Sequence, residues 1–262
     1  IFGERAETIG RHKFSFGIAW QHFTFDEIGG IDLDALPAVF THDDPAPGGK
    51  ADVVTTLNDL SAKLDQVTTF LTLGLTDRLD LSIAIPLVHA ELSVDSTATV
   101  RRVGTVDPKV HYFADGQDLG DGRVFSSGAD ATGVGDIHLR GKMRVFRAES
   151  TAVALGLDLR FPSGDEDDLL GTGAVGLAPF VAVTTSGKII STHVDASYQW
   201  NGDSVLAGDL ETREKGDLPD QLLYVAGLDF AVHDRVTLAI DLLGQIQFDS
   251  PVVSAVEFRA LD

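Results

Sequence analysis

The chain has 262 residues, with 40 acidic against 20 basic side chains and a formal net charge of −20. That charge sets it against phosphate backbones and excludes a nucleic-acid partner. It has no cysteine, which removes disulfide scaffolds, thiolate metal sites and cysteine nucleophiles. No run of about 18 apolar residues occurs, so a membrane role would need strands closed into a barrel. The chain opens on Ile1 without a basic-plus-apolar leader, as expected of a processed or trimmed form. No composition shift divides it, and residues 1–262 read as a single domain.

In chain order, residues 1–12 (IFGERAETIGRH) show no sustained period and read as an N-terminal segment. Alternation begins at Lys13, with Phe14, Phe16, Ile18 and Trp20 on one face of a strand. Trp20, Phe23 and Phe25 fall near its far end, where a membrane strand places an aromatic girdle. Residues 26–60 read as a long Asp-, Gly- and Pro-rich connection with a short helix near Leu33 to Phe40. Val67 to Leu75 and Leu79 to Leu87 form two strands around Thr76-Asp77-Arg78, and Pro86 calls for a bulge or a strand end. A second long connection is expected from about Ser93 to Thr132.

The central stretch is a hairpin. Ile137, Leu139, Met143 and Val145 alternate with Asp136, His138, Arg140, Lys142 and Arg144. After a turn at 147–150, Val153, Leu155, Leu157, Leu159 and Phe161 alternate with Ala154, Gly156, Asp158 and Arg160. The faces match only in same-parity register, which brings His138 and Arg140 close to Asp158 and Arg160. Next come the loop PSGDEDDLLGTG, a strand from Val175 to Thr184, a turn at 185–188 and a strand with His193 and Asp195 on its polar side. A polar connection at 201–220 leads to strands around Leu222 to Val232 and Val236 to Leu242, whose polar sides carry Asp229 and Asp241. A last weak strand is expected at Val252 to Leu261.

The connections alternate long and short, and the apolar faces of the stronger strands carry no charge. Both features predict an all-β, antiparallel up-and-down transmembrane β-barrel of about 10–12 strands, with short periplasmic turns and long extracellular loops. An outward Lys or Arg at mid-depth costs about 2–4 kcal/mol in lipid, so a clean outer face is required there and merely common in a soluble sheet. A soluble ligand-binding β-sandwich is the competing architecture.

The segments GVGDIHLRGKMRVF, LRFPSGDEDDLLGTGAVGLAPFVA and LLYVAGLDFAVHDRVTLAIDLLG, together with TLGLTDRLDLSIAIPLV, resemble the bacterial family described as outer-membrane transporters of the phenol meta-degradation pathway. The similarity covers most of residues 60–245. It implies a roughly twelve-stranded barrel that passes small, often apolar or aromatic, compounds. The end of the chain, Arg259-Ala260-Leu261-Asp262, lacks the alternating strand with a terminal aromatic usual in such barrels, so a C-terminal strand or strands are expected to be missing or closure to be achieved differently.

The candidate lumen-lining residues are Asp136, His138, Arg140, Lys142, Arg144, Asp158, Arg160, His193, Asp195, Asp229 and Asp241. Lining a lumen, they would select solutes by charge and size; neutralising one another, they would stabilise a blocked interior. His193 and Asp195, joined by Asp229 or Asp241, are at most a weak metal site. No cofactor is expected. The acidic loops His42-Asp43-Asp44 and Asp165-Glu166-Asp167-Asp168 offer oxygens to Ca²⁺ without EF-hand spacing and read first as a solvated rim. No nucleophile motif appears, and the chain is not expected to be an enzyme. The expected role is a passive channel or transporter for small, apolar or aromatic, molecules in the bacterial outer membrane, in contact with lipid and lipopolysaccharide. The alternative is a structural or partner-binding barrel with a blocked lumen.

Overall fold

The structure, a computed structural model, describes residues 4–28, 30–41, 52–104, 107–115, 118–233, 236–250 and 256–257. Its strands are β1 (Phe14–Phe25), β2 (Glu27–Ile28), β3 (Ile31–Asp32), β4 (Leu36–Phe40), β5 (Val53–Gly74), β6 (Leu79–Arg101), β7 (Phe113–Asp115), β8 (Asp118–Gly120), β9 (Gly122–Val134), β10 (Ile137–Arg147), β11 (Thr151–Phe161), β12 (Gly176–Thr185), β13 (Ile190–Asn201), β14 (Asp203–Asp209), β15 (Glu214–Asp217), β16 (Gln221–His233) and β17 (Val236–Gln247). The fold is all-β, and its main antiparallel sheet curls strongly, as a half-barrel does. That sheet has eleven strands in the order β1-β5-β6-β10-β11-β12-β13-β16-β17, with β4 also on β5 and β9 also on β6. The path runs in chain order, with β2–β4, β7–β9 and β14–β15 inserted between its strands, which is the up-and-down connectivity that the alternating loop lengths predict.

Contacts divide the chain into two compact units: residues 1–21, 66–89 and 132–250, and residues 22–65, 90–131 and 251–262. Boundaries fall inside β1, β5, β6 and β9, and β5 and β6 are 22 and 23 residues long. This corrects the sequence reading, in which 53–60 and 93–101 are connection. Their Thr, Val and Ala positions extend the strands, and the intervening Asp and Asn side chains do not break them. The short helix expected near Leu33 to Phe40 is a single 3₁₀ turn, Leu33–Ala35, followed by β4. Residues 42–50, with the acidic loop His42-Asp43-Asp44, lie outside the described residues, as do Asp234 and Arg235 and most of the weak strand expected at 252–261.

In the first unit β10, β11, β12, β13, β16 and β17 are ten to thirteen residues long. Pro86 sits within β6, not at its end. Its carbonyl accepts from the Gly135 amide at 2.9 Å, opposite the two residues that separate β9 from β10, so the missing proline N–H falls where the ladder is already interrupted. The hairpin keeps the expected parity, and the structure sets the register, His138 opposite Arg160 and Arg140 opposite Asp158. The turn between β10 and β11 joins the turn between β12 and β13 through the Ser186 amide on the Ser150 carbonyl, 2.7 Å.

Burial in this unit is inverted. Phe16, Ile18, Leu73, Leu87, Met143, Leu155, Val194, Leu228, Leu238 and Ile240 are exposed, and Leu242 reaches 70%. On the opposite face Asp80, Asp136, Asp158, Thr184, His193 and Asp229 are buried. The apolar cluster inside consists of Ala6, Ala152, Ala154 and Ala182. Buried polar groups and an exposed large apolar face are the informative exceptions in any protein. Here both follow the strand period, so they come from the fold and not from chance surface positions.

In the second unit, Asp52 is buried and closes the loop after β6. It accepts from the amides of Val103 at 2.8 Å and Gly104 at 2.7 Å, and the His111 ring lies 3.0 Å away. Arg102 donates to the carbonyls of Val110 and His111 and pairs with Asp121 at 2.6 Å. That pairing holds the Asp121 carboxyl below the usual carboxylate range and raises the Arg102 guanidinium.

Candidate functional site

The polar face of the first unit divides into three groups. The first is a loop lock on Asp136, in the two-residue break between β9 and β10. Its carboxylate accepts from the Gly164 amide at 3.1 Å, the Thr172 amide at 2.9 Å and the Thr172 hydroxyl at 2.6 Å, and Arg160 lies 3.7 Å away. Ser163 donates to the Gly135 carbonyl and accepts from the Ile137 amide, at 2.8 and 2.9 Å. A Cβ on Gly164 would strike the backbone of Leu170 and Gly171, and one on Gly171 would strike Asp136. Thus Gly133-Val134-Gly135-Asp136, Pro162-Ser163-Gly164-Asp165 and Leu169-Leu170-Gly171-Thr172-Gly173 are three pieces of one fastening. Asp136 and Arg160 therefore serve the loop, with Arg160 also donating to Asn201 at 2.9 Å.

The second group is cationic. On β10 and β11, Asp158 accepts from the Arg140 guanidinium at 2.8 Å and lies 2.7 Å from the His138 ring. Lys142, opposite Asp80 of β6, lies 3.8 Å from that carboxylate. Arg144 reaches the Asp77 carbonyl at 2.8 Å in the turn between β5 and β6. The third group is acidic and centres on His193 of β13, which is 1% exposed. Its Nε2 lies 3.0 Å from Asp241 of β17 and its Nδ1 3.7 Å from Asp229 of β16. The neighbour of His193 across the ladder is Gly227, and a Cβ there would occupy the space that the ring and the Asp241 carboxylate use.

What joins the last two groups is the N-terminal segment, for which the sequence shows no period. Residues 4–11 form a strap against the polar face. Arg140 and Lys142 donate to the two Glu4 carboxylate oxygens, at 2.9 and 2.6 Å. Lys142 also donates to the carbonyls of Arg5 and Glu7, at 3.0 and 2.8 Å. The Glu4 amide donates to Asp195 at 2.8 Å, and the Arg5 guanidinium to Asp229 at 2.5 Å. The Ala6 amide donates to the Thr184 hydroxyl at 2.9 Å, and the Ile9 amide to Asp80 at 3.1 Å. The strap thus carries an acid to the cationic group and a base to the acidic one. At Gly10, with φ of +91°, the chain turns into β1, and the closeness of Gly10 to Gly74 leaves no room for a side chain on Gly74.

The contact between Arg140 and Glu4 is made across 136 residues, and no local pattern reports it. Glu4, Arg5, Asp80 and Thr184 are the site residues that sequence reasoning missed. The only signal was charge at positions 4, 5 and 7 in a segment otherwise read as a tail. Some polar atoms in the site stay unmatched: Glu7 Oε2, Asp80 Oδ1 and His193 Nδ1 have no hydrogen-bond partner among the described residues. A cavity of about 560 Å³ lies beside the strap, lined among others by Arg5, Glu7, Thr184, Ser191 and Asp229.

Among the described residues no group of three or more His, Asp or Glu side chains is placed to hold a metal ion. The acidic loop at 165–168 is engaged within the protein: Asp165 accepts from the Asp167 amide at 3.0 Å, and Asp167 receives Arg213 at 2.8 Å on both oxygens. No curated protein matches the chain. The family described as "Putative MetA-pathway of phenol degradation" matches residues 38–218, a span that contains all three pieces of the Asp136 fastening, and the chain belongs to that family.

Proposed function

We propose that this protein is an outer-membrane β-barrel that passes small, apolar or aromatic molecules across the bilayer, with the strap as a built-in plug over its polar wall. The observation that carries the reading is the inverted burial of the first unit. Exposed apolar side chains on alternate residues are left uncovered among the described residues, and removing such area from water is worth about 25 cal/mol per Å². Lipid is the solvent that collects this stabilisation. The lengths of β10 to β13, β16 and β17 suit crossing: a tilted transmembrane strand needs about 9–11 residues. The family's description, which concerns a pathway of phenol degradation, supports an aromatic cargo. In this reading the outer face meets lipid and lipopolysaccharide, the wall residues select solutes, and no catalytic step or cofactor is involved.

The strap itself favours a second reading, a structural barrel whose interior is permanently blocked. Flux separates the two. Reconstituted into liposomes, the protein is expected to speed entry of a small aromatic solute such as phenol above protein-free vesicles, while planar bilayers show little ion conductance. A folded, heat-modifiable protein that adds no flux overturns transport and leaves the blocked barrel. A protein that stays monodisperse in water without detergent overturns the membrane reading altogether.

A further inference from the structure

Glu4 is held as a ligand is held. Its two carboxylate oxygens each meet one cation, Lys142 at 2.6 Å and Arg140 at 2.9 Å. Both cations are mostly shielded, with side chains 11% and 18% exposed, while Glu4 itself is 22% exposed and so remains reachable. The Arg140 guanidinium also lies over the Phe180 ring, 5.1 Å from its centroid, which fixes its plane and gives the position an apolar side. We propose that Arg140 and Lys142 form a binding site for a small organic carboxylate, filled in this structure by the chain's own Glu4, and that a solute carboxylate takes Glu4's place and frees residues 4–9 from the wall. The proposal rests on the reading of this wall as the solute-facing side.

The chemistry of the site selects a monoanion with two oxygens. Asp158 and Asp80 lie within ion-pair distance of Arg140 and Lys142, so a doubly charged phosphate would add repulsion where a carboxylate repeats the charge of Glu4. Exchange of one carboxylate for another leaves the charge of the wall unchanged. The other attachments of the strap are mainly polar: backbone donors to Thr184, Asp80 and Asp195, the ion pair of Arg5 with Asp229, the Thr8 hydroxyl on the Asp77 carbonyl and the Ser186 hydroxyl on Glu7, with the small Ala6 methyl against Ala152, Ala154 and Ala182 as the apolar one. Lys142 binds the strap at three points, so a ligand that draws it away loosens all three. The turn at Gly10 keeps the freed strap tethered. A tethered ligand acts at an effective concentration on the order of millimolar, so an external carboxylate competes in the same range.

The test uses the full chain in detergent, with benzoate as the probe and benzyl alcohol as its neutral counterpart. Calorimetric titration is expected to give benzoate binding at least about tenfold tighter to Glu4→Gln than to the unmodified protein, because the internal competitor is weakened. Benzyl alcohol is expected to show no such gain, and Lys142→Met in the Glu4→Gln background is expected to abolish it. The substitution at Glu4 lies on the strap and leaves the sheet intact. Ala6→Cys, in a chain with no other cysteine, reports release: alkylation of the buried thiol is expected to accelerate saturably with benzoate. Equal benzoate affinity in the two proteins, or an equal gain for benzyl alcohol, overturns the site. Tighter binding without faster alkylation overturns the release. These titrations do not depend on flux, so tighter binding by a protein that transports nothing would refute the transport reading and keep the site.

Discussion

Replacing Asp136 by Ala removes one carboxylate from the polar face and is expected to open the loop between β11 and β12. The side chain is 7% exposed and takes three hydrogen bonds from Gly164 and Thr172, with Arg160 3.7 Å away. Hydrogen bonds to a charged group are worth about 1.5–3 kcal/mol each, and they are not additive. Deleting one partner of a buried ion pair costs about 3–5 kcal/mol, because the other charge stays behind. Arg160 keeps a bond to Asn201, which places the loss toward the lower end, about 3–4 kcal/mol. Each 1.4 kcal/mol is a factor of ten, so local opening should rise by about two to three orders of magnitude. Hydrogen exchange at the amides of residues 164 and 172, in protein held in detergent micelles, measures this directly. Asp167→Ala is the control: its pair with Arg213 is about half exposed on both sides and should cost under about 1 kcal/mol. Unchanged exchange at 164 and 172 in Asp136→Ala, or equal effects of the two substitutions, would refute the reasoning that the three motif pieces form one fastening.

Ile240→Lys, on the exposed apolar face of β17, is expected to destabilise protein folded in bilayers by about 2–4 kcal/mol, read from urea titrations in vesicles; a change within about 0.5 kcal/mol would indicate that this face meets water. Gly227→Ala places a methyl group where His193 and Asp241 meet and should cost about 1–3 kcal/mol by overpacking; trimming His193 to Ala in the same chain should restore much of it, and failure to do so would separate the glycine from the histidine. Asp121, held below the ordinary carboxylate range by Arg102, contributes stability that is present above the unfolded carboxylate value of about 3.9 and is lost as pH falls through the lower folded value. Carboxyl chemical shifts should therefore show Asp121 titrating below the ordinary carboxylate range, and Arg102→Gln should return it to that range.

Alternation is a local property of the chain, and that is why so much of the first unit was legible from residues alone. Each main-sheet strand from β10 onward announces its two faces within a few residues, whereas the small hairpin of β14 and β15 lies in the stretch 201–220 that reads as connection; parity then fixes which charges meet across the central hairpin. The same locality explains the errors in the connections. Residues 53–60 and 93–101 are polar enough to read as loop, yet strands need only a partner and permissive backbones, and the hairpin of β5 and β6 supplies each with the other. The motif pieces at 133–136, 162–165 and 169–173 were visible as a resemblance, but their joint purpose was not, because it depends on two glycines approaching closely enough to exclude a Cβ.

By itself the sequence determined an all-β chain of antiparallel neighbours, an uncharged apolar face and a charged one, since side-chain direction in a strand depends only on position along it. Tertiary structure alone decided how the charged face is used. Arg140 and Lys142 find their carboxylate in Glu4, and Asp229 finds its guanidinium in Arg5. Those pairs are chosen by how the sheet curls around a segment with no period of its own. A charge far along the chain becomes a partner only when the fold encloses both and removes the water that would otherwise solvate them.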